Sequence, residues 1–272
     1  MRVIKIALRI AVLAYIGLAA MFFVTQRSLL YYPSHTWVSM QEAGANAAYR
    51  EISVRTEDGV DLKAWYAPAT ARPFTIVFFH GNADNLYTAS EIGDRYIALG
   101  YGFLSAEFRG YSGLPGKPTE KGLYADGRAY LRYLVANGVS PSHVVRFGQS
   151  LGTGIATQMA TEFPVGGLML LAPFLSVPAV AQAHFPIFPC ALLALDRYDN
   201  GRKIANVHAP VLIVNGTFDD VVPPRQGQDL YKRANLPREF HSIPNRGHND
   251  ISDDFVPISE AWITGLGTSL KL

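Results

Sequence analysis

The chain has 272 residues, a formal charge of +2, and 17% charged against 49% hydrophobic residues. That balance suits one large domain with a substantial core and an N-terminal extension. It has no polybasic block to support nucleic-acid binding, and a single cysteine, Cys190, excludes an internal disulfide.

The extension comes first in the chain. Val3 to Val24 is apolar apart from Lys5 and Arg9, and twenty-two helical residues span about 33 Å, the thickness of a bilayer core. Arg2, Lys5 and Arg9 lie at its start and only Arg27 follows closely. The charge bias therefore predicts a single membrane pass, with the N-terminus in the cytoplasm and the large domain on the opposite side. A signal peptide cut near Gly17-Leu18-Ala19, giving a secreted or periplasmic protein, is the alternative. It would leave Met21-Phe22-Phe23-Val24 as an apolar stump, which favours an uncleaved anchor. The expected organisation is an anchor over 1–26, a linker and lead-in over 27–48, and a catalytic domain over 49–272.

Within that domain, strand-like runs occur at Glu51–Arg55, Val60–Tyr66, Phe74–His80, Gly102–Glu107, Val144–Gly148, Gly167–Leu171, Val211–Asn215 and Arg238–Ile243. The first two are joined by a Glu57-Asp58-Gly59 turn and read as a hairpin. The later ones alternate with helical stretches at Asn85–Leu99, Glu120–Ala136, Leu151–Phe163, Pro224–Ala234 and Asp254–Ser269. This pattern predicts an α/β fold, a mostly parallel sheet of about eight strands with helices on both faces. The insert at 173–207 is the sizeable interruption.

The fifth run ends in Gly148-Gln149-Ser150-Leu151-Gly152, a Gly-x-Ser-x-Gly pentapeptide between a strand and a helix. Such a turn forces the serine outward in a strained conformation, where its hydroxyl can act as a nucleophile. A base is then needed, and His248 is the candidate among seven histidines. It lies in the polar loop after the last strand, where a side chain reaches over the carboxyl edge of a sheet. An acid following Val211–Asn215 would fix the imidazole tautomer, and Asp219 and Asp220 both qualify. The oxyanion requires preorganised N–H donors. Leu151 supplies one at the helix start, and Asn82, after Gly81, supplies the second from the loop behind the third strand.

These residues, with Tyr31-Tyr32-Pro33, Phe79-His80-Gly81-Asn82-Ala83, Phe108-Arg109-Gly110-Tyr111-Ser112-Gly113, Gly216-Thr217-Phe218-Asp219 and Gly247-His248-Asn249-Asp250, resemble the α/β-hydrolase superfamily. The likeness is to its membrane-anchored single-domain serine hydrolases, which include protein depalmitoylases and lysophospholipid hydrolases. It implies an α/β-hydrolase fold, selects Asp219 over Asp220, and implies hydrolysis of an ester or thioester without metal or cofactor. Relatives carry Asp-Tyr-Arg-Gly where this chain has Glu107-Phe108-Arg109-Gly110, a departure outside the triad. In the insert, Phe174, Leu175 and Phe188 are expected to wall a pocket for an acyl chain, which with the anchor suggests a lipid or acylated substrate. A peptidase of the same fold and a membrane-tethered, non-catalytic binding protein are the rival functions. Neither a dinucleotide fingerprint at Gly152-Thr153-Gly154 nor a Walker lysine at Gly116-Lys117-Pro118 has the required spacing.

Overall fold

The computed structural model describes residues 1–269. Helix α1 covers Arg2–Leu30, four residues beyond the expected end of the anchor. Strands β1 (Arg50–Arg55) and β2 (Asp61–Ala67) form the antiparallel hairpin. There follow β3 (Thr75–Phe79), α2 (Leu86–Ala98), β4 (Gly102–Ala106), α3 (Glu120–Ala136), β5 (Val144–Gln149), α4 (Gly152–Glu162) and β6 (Gly167–Leu171). The insert carries three short helices, α5 (Val177–His184), α6 (Cys190–Leu193) and α7 (Asn200–Lys203). Strand β7 (Val211–Gly216), α8 (Pro224–Arg233), β8 (Arg238–Ile243) and α9 (Ser252–Ser269) complete the chain.

The eight strands form one sheet in the order β1-β2-β4-β3-β5-β6-β7-β8. Strand β2 is antiparallel to β1 and β4, and every pairing from β4 through β8 is parallel. Side chains alternate across a strand, so each central strand feeds two cores. On β3, Val77 and Phe79 join Leu123, Tyr130 and Ile155 of α3 and α4. Ile76 and Phe78 join Tyr96 of α2 and Phe255 of α9 on the opposite face. A sheet covered on both sides explains the continuous apolar runs of β3 and β6, which carry no polar-out alternation.

Helix starts follow local chemistry. Asn85 caps α2, accepting from the amides of Tyr87 and Thr88, while Thr88 Oγ1 accepts from the Asn85 amide. Thr119 caps α3 through the Gly122 amide at 3.0 Å. The parallel connections leave the carboxyl ends of β3, β5, β7 and β8 on one edge, where open α/β sheets carry their ligand sites.

Candidate active site

Ser150 occupies the turn from β5 into α4 with φ +49°, a left-handed conformation costly for a residue bearing a side chain. The neighbouring glycines make the turn sterically feasible. A Cβ on Gly152 would lie 1.8 Å from the carbonyl oxygen of Phe79, and one on Gly148 would lie 2.5 Å from that of Gly152. The serine is thus held outward on a backbone packed against the end of β3.

The structure brings together the three side chains singled out in the sequence. Ser150 Oγ is 2.9 Å from His248 Nε2, and His248 Nδ1 is 2.8 Å from Asp219 Oδ2. Because the carboxylate accepts, Nδ1 carries the proton and Nε2 is free to accept from the serine hydroxyl. Asp219 is itself fixed: its Oδ1 accepts from the amides of Val221 (3.0 Å) and Val222 (2.7 Å). Asp220, its sequence competitor, is exposed and outside this chain of bonds. Among the described residues, no group of three or more His, Cys, Asp or Glu is placed to hold a metal ion.

Leu151 and Asn82, whose amides are the expected oxyanion donors, both line the cavity beside Ser150. Neither amide donates to a protein acceptor among the described residues. The Asn82 amide is held from several directions. His80 Nδ1 donates to Gly81 O at 2.7 Å, which is the other end of the peptide plane carrying the Asn82 N–H. Asn82 O accepts from Tyr111 Oη (2.9 Å) and the Tyr32 amide (3.2 Å), and Asn82 Nδ2 donates to Leu30 O at 3.0 Å. The end of α1 therefore clamps this loop directly.

Glu107 is the partner behind His80, and sequence reasoning set it aside. Both side chains are fully buried, with His80 Nε2 2.9 Å from Glu107 Oε1. Glu107 also accepts from the Phe108 amide, the Leu86 amide and Ser112 Oγ. Each of its carboxylate oxygens thus has two hydrogen-bond partners. Burial alone would lower the pKa of His80, but the charge and hydrogen bond of Glu107 outweigh it and raise the pKa. The departure from Asp-Tyr-Arg-Gly thus lies one contact from the peptide that presents the Asn82 amide. Its sequence signal was the buried-strand context of a lone glutamate. In the same motif, Arg109 forks between Asp58 and Asp126 and ties the β1–β2 hairpin turn to α3.

An apolar cavity of about 310 Å³ opens beside Ser150, Leu151 and Asn82. Phe174 and Phe188 line it. Leu175 does not: it packs against the main core and lies close to Gly201. Cys190 lines the wall, and burial pushes its thiol pKa up, in keeping with an inert side chain. The unforeseen wall is α1, which contributes Phe22, Phe23, Gln26 and Leu30.

No family model matches the chain. An uncharacterized protein of Mycobacterium tuberculosis is 35% identical over 246 residues, 89% of this chain and 87% of its own. The human alpha/beta hydrolase domain-containing protein 17B is 34% identical over 183 residues, 65% of this chain and 61% of that longer protein. Among solved structures, an esterase of Pyrococcus furiosus superposes with a TM-score of 0.66 at 18% identity, covering 89% of this chain and 98% of that one. The chain belongs to the α/β-hydrolase superfamily, whose class of chemistry is hydrolysis.

Proposed function

We propose that the protein is a serine hydrolase of carboxylic esters or thioesters that works through an acyl-enzyme. The observation that carries this reading is the relay from Asp219 through His248 to Ser150, at 2.8 and 2.9 Å, beside two uncommitted amides. His248 Nε2 takes the proton of Ser150 as Oγ attacks the substrate carbonyl, and the Leu151 and Asn82 amides receive the developing oxyanion. His248 then passes its proton to the departing alcohol or thiol. Water enters by the same base, frees the acid and returns the proton to Ser150. Asp219 stabilises the imidazolium while it lasts.

The apolar cavity suits an acyl group, and α1 is long and apolar enough to cross a membrane. We take α1 as an uncleaved anchor with its N-terminus cytoplasmic and the domain on the other side. A reporter fused after Leu272 that was active only in the cytoplasm would overturn that topology. The chemistry is tested with Ser150→Ala, which should lose essentially all esterase turnover and all labelling by a fluorophosphonate probe while remaining folded. Near-native rates in that variant would sink the assignment. Matched amide and ester substrates separate an esterase from a peptidase.

A further inference from the structure

The cavity beside Ser150 lies between two elements with unusual surfaces. One is the second half of α1. The other is the tip of the insert, residues 173–195, a stretch of 23 residues without Asp, Glu, Lys or Arg. Several of its large apolar side chains are turned outward: Leu192 is 84% exposed, Ile187 69% and Phe185 44%. An uncovered patch of this kind beside an apolar helix is a docking face for an apolar medium.

Contacts between the two elements are specific. Tyr15 stacks on Phe188 with centroids 5.4 Å apart, and Phe22 lies 5.2 Å from Phe185 and 5.1 Å from Phe188. Arg27 pairs with Asp196 at 2.7 Å where the insert returns to polar sequence. The depth of the tip follows from helix geometry. The apolar run of α1 ends at Val24, and Tyr15 lies nine residues earlier, about 13 Å along the axis. A leaflet core is about 15 Å thick. The tip that touches Tyr15 is therefore level with the hydrocarbon.

The backbone at the tip suits that position. Hydrocarbon offers no partners, so polar backbone groups there must be satisfied within the protein. Pro186 and Pro189 remove two donors outright. Ile187 O accepts from Tyr15 Oη at 2.9 Å, Leu193 O from Gln26 Nε2 at 3.1 Å, and Pro186 O from Gln182 Nε2 at 3.0 Å. The Leu195 amide donates to Gln26 Oε1 at 2.7 Å. Two of the few polar side chains on α1 thus satisfy groups of the insert rather than meeting water.

We infer that the insert tip is embedded in the bilayer against α1, and that the cavity between them is an acyl-chain site entered sideways from the membrane. The substrate class is a membrane-resident acyl ester or thioester, whose acyl chain runs along α1 from Leu30 beside Asn82 toward Phe22. Eight residues of helix cover about 12 Å, the length of roughly ten extended carbons at about 1.2 Å per bond. This assignment rests on the serine-hydrolase reading and extends it to where the substrate comes from.

The test uses the full chain in phosphatidylcholine vesicles. Leu192→Trp should show quenching by brominated acyl chains well beyond that of the wild type with its three native tryptophans. Phe22→Trp should shorten the site by about two carbons. At about fourfold per methylene lost from apolar burial, its rate ratio for decanoyl over butyryl ester should fall roughly fifteenfold. The ratio does not depend on how much enzyme is folded. Wild-type quenching in Leu192→Trp, or an unchanged ratio in Phe22→Trp, overturns the inference. Ser150→Ala run alongside separates the two levels: activity retained there refutes the hydrolase reading, whereas an inactive Ser150→Ala with an unchanged Phe22→Trp ratio refutes the acyl site alone.

Discussion

Asn82 offers the sharpest test of how α1 and the reacting centre are connected. Its amide is the proposed second oxyanion donor, while its side chain does separate work: Nδ2 holds the carbonyl of Leu30 at 3.0 Å. Asn82→Ala removes the tether and leaves the amide in place. Complete loss of one oxyanion donor costs about 2.7–4 kcal/mol, a hundredfold or more in kcat. Here the peptide is still gripped by His80 on Gly81 O and by Tyr111 and Tyr32 on Asn82 O. The loss should therefore approach that of one net hydrogen bond, about 1 kcal/mol. We expect kcat to fall about five- to tenfold with KM within a factor of two, and the melting temperature to drop by about 2–4 °C. Asn82→Asp should be slower still, since a carboxylate cannot donate to Leu30 O and sets a negative charge near the oxyanion. Steady-state kinetics on a butyryl ester with melts of all three proteins decide it. Equal kcat in wild type and Asn82→Ala, or an Asp variant faster than the Ala variant, would refute the reasoning.

Three further outcomes are expected. Arg146 is buried on β5 with Nε and Nη1 unpartnered, and burial lowers its pKa to about 9. Its unfolded value is higher, so stability is penalised at neutral pH and recovers only above about pH 9. Arg146→Met should raise the melting temperature at pH 7, by on the order of 2–4 kcal/mol of stability; a lower one would show that the guanidinium contributes more than its desolvation costs. Folding favours protonated His80, so its contribution is complete below the unfolded pKa near 6.5 and fades as pH rises through the folded value. Urea midpoints should decline over that window in the wild type and decline less in Glu107→Gln, and identical slopes would exclude the ion pair as the cause. Gly152→Ala places a Cβ against the Phe79 carbonyl and should cost about 3 kcal/mol together with turnover; a variant as stable and active as wild type would contradict the packing of the elbow.

Some of this was legible in the sequence for definite reasons. Ser150 stands out because only glycines fit at 148 and 152, and that requirement appears as a pentapeptide. His248 and the Asp219-Asp220 pair stand out because parallel topology sends the loops after β7 and β8 to the same edge as the turn after β5, whereas the choice of Asp219 came from the family resemblance. Strand boundaries were within a residue or so because β3, β5, β6 and β7 are buried on both faces and carry mostly apolar residues. Other features left weaker traces. The extent of α1 to Leu30 was hidden because Thr25-Gln26-Arg27 ends the apolar run, although Gln26 and Arg27 meet partners some 170 positions away. Leu175 and Phe174 look alike in sequence, and only the local backbone turns one to the cavity and the other to the core. Glu107 read as a neutral departure because its partner His80 belongs to another motif, and nothing in their separate spacings links them.

The Arg27–Asp196 pair carries a mechanical consequence. Asp196 also accepts from the Glu120 amide at 3.0 Å, so one carboxylate fastens α1, the insert and the start of α3 together. Tyr31, next along, is buried with its hydroxyl 2.9 Å from that of Tyr198. A joint bonded in this way restrains rotation of α1 against the domain, and on the proposed anchoring it would hold Ser150 at one height above the lipid. Its reach would then be set by this joint rather than by tether length. A molecule whose scissile bond stands well clear of the membrane plane would pass overhead, however well its acyl chain matched the cavity.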